Sequence, residues 1–68
     1  MIDRIIKEME KVEDLNISGN EKKQKVLEHF EKELGEYYQY NSFLISSTID
    51  FIVKVSKNNF TTPINNKN

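Results

Sequence analysis

Eight of the fifteen residues from Phe43 to Lys57 (FLISSTIDFIVKVSK) are Phe, Leu, Ile or Val, and no comparable apolar run occurs elsewhere in the chain. The residues around it are mostly charged or asparagine-rich. Whatever core these 68 residues build is therefore organised around this segment.

At helical spacing the segment has two kinds of surface. Ser46, Ser47, Asp50, Lys54 and Lys57 recur three and four residues apart, with Asp50 one turn before Lys54 and placed to pair with it. Leu44, Ile45, Thr48, Ile49, Ile52, Val53, Val55 and Ser56 form a wide apolar stripe suited to a core-facing helix. Ser42, or Asn41 before it, is the expected N-cap, because its side-chain oxygen can accept from an orphan first-turn amide. A strand is the competing reading. Ile49, Phe51, Val53 and Val55 alternate with Asp50, Ile52, Lys54 and Ser56, and β-branched residues favour strands. Ile52 breaks the alternation, and no other segment resembles the partner that a lone strand requires. A helix over 43–57 is preferred.

A chain this short forms one domain, here expected over 1–57 with an asparagine-rich tail over 58–68. It buries only roughly 60% of its unfolded surface, which makes a single core marginal. Cysteine is absent, so neither disulfides nor thiolate metal sites can staple the fold. Self-association or docking on a larger protein is the remaining staple. The net charge of −1 supplies no basic field to attract nucleic acid or anionic lipid. The opening MIDRIIKEME has no apolar signal-like core, and no run approaches the ~20 apolar residues of a bilayer span. A cytoplasmic location is the expectation.

Ahead of the central segment, two amphipathic helices are expected. In the first, Ile2 to about Leu15, apolar residues at 2, 5, 6, 9 and 12 form a narrow stripe. Arg4–Glu8 and Lys7–Lys11 lie one turn apart on its surface, one pair attractive and one repulsive, so side-chain pairing hardly decides the helix. Asn16 to Asn20 breaks the helix, and Ser18 with Glu21 fits a capping box. The second helix, about 19–34, aligns Val26, Leu27, Phe30 and Leu34 on one stripe. Gly35 follows as the expected left-handed terminator. The tyrosine-containing connection 36–41 then lies over the edge of the core. The fold class is all-α: three short helices, about 2–15, 19–34 and 43–57, in a small bundle.

Catalytic chemistry finds no support. His29, the single histidine, lacks the converging ligands of a metal site and reads as a half-exposed packing residue beside Phe30. Lys22, Lys23, Lys25 and Lys32 are interleaved with Glu21, Glu28, Glu31 and Glu33, which describes a solvated face rather than a nucleic-acid patch. The two glycines are isolated, so no phosphate-binding loop exists. No cofactor is implied. A helix over 43–57 could lie in a bilayer interface, but the basic face such helices carry is weak here.

The segments EKKQKVLEHFEKELG (21–35) and STIDFIVKVSKNN (47–59), joined by a tyrosine-containing connection, resemble small helical proteins of giant DNA viruses of the mimivirus kind. In those chains an "IID-hydrophobic-SKG" segment recurs near the end. Ile49, Asp50, Phe51, Ile52 and Val53 match it, followed by Ser56 and Lys57, and Asn58 replaces the usual glycine. The resemblance covers residues 20–58 and implies no activity. A second similarity, to holin-like phage proteins, implies membrane activity, against which the missing membrane span counts. The expected role is a non-catalytic interaction protein, with a peripheral membrane protein or a nucleic-acid accessory factor as alternatives. Its core and interaction residues are Ile2, Ile5, Ile6, Met9, Val26, Leu27, Phe30, Leu34, Leu44, Ile45, Ile49, Ile52 and Val53.

Overall fold

The computed structural model describes residues 1–56. Lys57 and the asparagine-rich tail 58–68, the expected helix end and flexible segment, lie outside the described residues. The described chain is all-helical: α1 (Ile2–Val12), α2 (Gly19–Leu34), a single 3-10 turn (Gly35–Tyr37) and α3 (Tyr38–Ser56).

Helix α1 stops at Val12, short of the expected Leu15. Its end tightens into bonds spanning three residues, Glu13 N–H to the Glu10 carbonyl at 3.4 Å and Leu15 N–H to the Val12 carbonyl at 3.1 Å. The Lys22 ammonium then donates to the Glu13 carbonyl at 2.5 Å, placing a cation at the negative end of the helix. Lys22 is buried rather than solvated, and this contact ties the end of α1 to the first turns of α2.

The capping box forms as expected. Glu21 N–H donates to Ser18 Oγ at 3.1 Å, and Ser18 N–H donates to Glu21 Oε1 at 2.9 Å. At the other end, Gly35 takes φ 59° and ψ −131°: the positive φ favours glycine, but the pair lies outside the left-handed helical conformation expected of the terminator. The expected connection over 36–41 does not exist as a loop. Gly35 turns the chain, and helix resumes at Tyr38, so residues 19–56 form one long bent helical stretch beside the short α1. The proposed caps Asn41 and Ser42 fall inside α3 instead. Asn41 Nδ2 donates to the Tyr37 carbonyl at 2.9 Å, the four-residue back-bond that lets a polar side chain sit within a helix. Thr48 and Ser56 hydroxyls do the same to Leu44 and Ile52 at 2.7 and 2.6 Å.

Three helices meet at six side chains, each at most 3% exposed: Ile5 and Met9 from α1, Val26 and Phe30 from α2, Ile45 and Ile49 from α3. Leu27, Leu34, Ile52 and Val53 pack around them, joined by Val12 and Tyr38. Ile2, Ile6 and Leu44, expected in the core, are exposed. Ile6 lies roughly a quarter-turn from the line through Ile5, Met9 and Val12, and Ile2 sits in the first turn. Leu44 is about a third of a turn from Ile45 and Ile49, on the far side of α3.

Candidate interaction surface

Helix α3 is apolar on two opposite sides. Its inner side presents Ile45 and Ile49, with Ile52 and Val53 at the flanks. At 100° per residue, Tyr40, Phe43, Leu44, Phe51 and Val55 gather on the opposite side. All five are between 60% and 83% exposed, and Phe43 is the most exposed of them. Ser47 and Thr48 occupy the middle of this outer face. Thr48 directs its hydroxyl to the Leu44 carbonyl, so the hydroxyl makes little demand on a partner. Single exposed apolar residues are ordinary on a protein surface; five large ones gathered on one side of a helix, in two groups about Ser47 and Thr48, are the kind of patch that marks an interaction site.

The charges around α3 do not form the expected pattern. Asp50 pairs with Lys23 of α2 at 2.9 Å rather than with Lys54, because the return of α3 beside α2 brings Lys23 into reach. Lys22 and Lys23, half of the basic patch, are thus engaged in contacts between elements of the fold. Of the three tyrosines, only Tyr38 is half-buried against the core, while Tyr37 and Tyr40 stand exposed. Burial, with a smaller contribution from Glu31, raises the Tyr38 phenol above its ordinary value.

A second cluster spans α1 and α2. Arg4 donates to Glu33 rather than pairing with Glu8, and this bond holds the Glu33 carboxyl below the usual range. His29 Nε2 lies 3.0 Å from Glu33 Oε1 and 3.4 Å from Glu8 Oε2, and Lys11 reaches Glu8 at 3.0 Å. The imidazole packs edge-on to Phe30, with centroids 5.2 Å apart. The Arg4 guanidinium stands 5.9 Å from the centroid of the same ring. Arg4–Glu33 and the ring contact with Phe30 join α1 to α2 at the rim of the core, while His29 Nε2 has no hydrogen-bond partner there among the described residues. Among the described residues, no three His, Cys, Asp or Glu side chains are arranged to hold a metal ion. No helix of the described residues is long and apolar enough to cross a membrane.

Ten of the thirteen residues expected in the core or interaction set converge on the core or pack against it; Ile2, Ile6 and Leu44 do not. Tyr40, Phe43, Phe51 and Val55 were absent from that set. The signal was nevertheless present, because eight large apolar residues in fifteen exceed what one face of a helix can hold. Compared with protein-family models, characterised proteins and solved structures, the chain matches none.

Proposed function

We propose that the chain is a non-catalytic interaction protein, a small three-helix bundle that uses the outer face of α3 to dock on protein. One observation carries this reading: five large apolar side chains crowd one side of a helix whose other side already forms the core. Placing such a stripe in water is unfavourable, and covering it removes apolar surface at about 25 cal/mol per Å2. The polar groups offer less. In the cluster around Glu33 and Glu8, Arg4 and Lys11 are each paired with a carboxylate, and the lysine patch is partly consumed by the fold. The resemblance to small helical viral chains carries no activity with it and leaves this reading unchanged.

A photo-crosslinking residue at position 43, with position 7 as an exposed control on α1, tests the reading in cells producing the chain. The expected result is a protein adduct at 43 and little at 7. Equal labelling at both positions, or lipid adducts alone at 43, would refute it. Lipid adducts would favour the peripheral membrane alternative, for which the acidic Glu36 and Asp50 beside the face are poor companions.

A further inference from the structure

We propose that the outer face of α3 is covered by a second copy of the same chain, with the two α3 helices antiparallel about a twofold axis near Ser47 and Thr48. The proposal rests on the reading of this face as a protein-docking surface, and it commits that surface to one occupant.

Four of the five large residues on the face are self-complementary under reversal. Tyr40 and Leu44 stand on one side of Ser47–Thr48, and Phe51 and Val55 stand at matching separations on the other. Reversing the helix about that centre places Tyr40 opposite Val55 of the second copy and Leu44 opposite its Phe51. Each contact then joins an aromatic group to an aliphatic one, while Ser47, the smallest side chain on the face, occupies the crossing point. Small residues there let the backbones approach while the large side chains interdigitate around them.

Charge favours the same direction. Lys54 lies on one flank of the face near its C-terminal end, and Glu36 lies in the 3-10 turn that precedes its N-terminal end. In an antiparallel pair about that centre, Lys54 of the second copy comes level with Asn41, which lays its methylenes beside Phe43 and sets its ammonium at the end of the face that Glu36 precedes. A parallel pair would set Lys54 at the same level as its own equivalent and offer no such neutralisation.

The area is sufficient. At roughly 200 Å2 for a fully exposed aromatic side chain, the three rings, at their exposures, and the two aliphatic groups present on the order of 600 Å2 per copy. A standard specific interface uses about 800 Å2 per partner.

Light scattering behind size exclusion, at high micromolar concentration and on the full chain, is expected to give twice the 8.1 kDa chain mass. Phe51→Asp is expected to raise the dissociation constant by roughly 30-fold or more, the loss typical of a central interface anchor. Because Phe51 is exposed, its circular dichroism should stay helical; Phe43→Ser is a second probe of the same face. The absence of native cysteine makes single-cysteine variants clean reporters of direction. Ser47→Cys should form a disulfide-linked dimer. Tyr40→Cys and Val55→Cys should each fail to link to themselves, because at 1.5 Å per residue equivalent positions lie about 22 Å apart along the axis. Mixed together, those two variants should link to each other. Self-linkage of Tyr40→Cys and of Val55→Cys would overturn the antiparallel arrangement. A monomer for the parent chain would overturn the second copy as occupant, whether vesicles, another protein or residues 57–68 take its place. The adduct at position 43 separates these failures: a monomer that still crosslinks to another protein keeps the docking reading and loses only the dimer.

Discussion

Ile49 and Phe51 are two residues apart on α3, yet one points into the core and the other into solvent. Truncating each to alanine should therefore have opposite consequences. Ile49 is fully buried, and Ile49→Ala removes about three carbon groups at roughly 0.8 kcal/mol each, to which a residual cavity adds. A cost of about 3–4 kcal/mol follows, within the range measured for buried Ile-to-Ala changes. At roughly 0.05–0.15 kcal/mol per residue, a chain of this length has only about 3–10 kcal/mol in total. Each kcal/mol shifts the melting temperature of so small a domain by about 4–8 °C, so Ile49→Ala should melt at least 12 °C below the parent, or be unfolded. Phe51 is 63% exposed, and Phe51→Ala should change melting by no more than a few degrees in dilute solution. Its effect should appear instead as a loss of the concentration dependence that self-association confers on melting. Thermal circular dichroism of both variants at two protein concentrations tests the pair. If Ile49→Ala melted within 5 °C of the parent while Phe51→Ala collapsed at the lower concentration, the assignment of the two faces would be reversed.

Three further outcomes are expected. Gly35→Ala should destabilise by about 1–3 kcal/mol in urea titrations, because φ 59° strains an L-residue. An added Cβ would meet nothing within 4 Å, so the cost is one of backbone conformation, and with ψ −131° lying outside the left-handed helical well Gly35→Asn should recover none of it. Ser18→Ala removes the acceptor for Glu21 N–H and should cost about 1 kcal/mol by the same measurement. Glu33 titrates below its usual 4.5 in the folded chain because Arg4 hydrogen-bonds its charged form. Its contribution to stability is present above that value and is lost as pH falls through it toward the lower folded value. The urea midpoint should therefore drop on acidification, and Arg4→Met should flatten that part of the profile; an unchanged profile would count against the Arg4–Glu33 bond.

The legible parts of the fold were those governed by local rules. The capping box at Ser18 and Glu21, the positive φ at Gly35, and the inward stripes of Val26 with Phe30 and Ile45 with Ile49 each follow from spacing and residue type. The start of α3 did not, because Asn41 and Ser42 are good caps by propensity and yet both lie inside a continuing helix, where Asn41 bonds back to the Tyr37 carbonyl. Only the turn at Gly35 decides between those outcomes. Ion pairs were illegible for a related reason. Pairing rules within a helix favoured Arg4 with Glu8 and Asp50 with Lys54, whereas packing brought Glu33 to Arg4 and Lys23 to Asp50. Lys22 shows the same override, since nothing in its charged neighbourhood signals that the Glu13 carbonyl will come within its reach.

The outer face of α3 explains why so small a chain without disulfides would retain so apolar a helix. A helix that is hydrophobic nearly all round is ordinarily enclosed on every side. Two other helices of this length can enclose only one side of it, and α1 and α2 both pack against the side that carries Ile45 and Ile49. The stripe from Tyr40 to Val55 therefore contributes little to the stability of the isolated chain and is the surface left for the proposed pairing. Substitutions there should separate association from folding, whereas substitutions at Ile5, Phe30 or Ile49 should abolish both together. That separation follows from which side of one helix each residue occupies, and it would fail if Phe43→Ser or Phe51→Asp unfolded the chain as readily as Ile49→Ala.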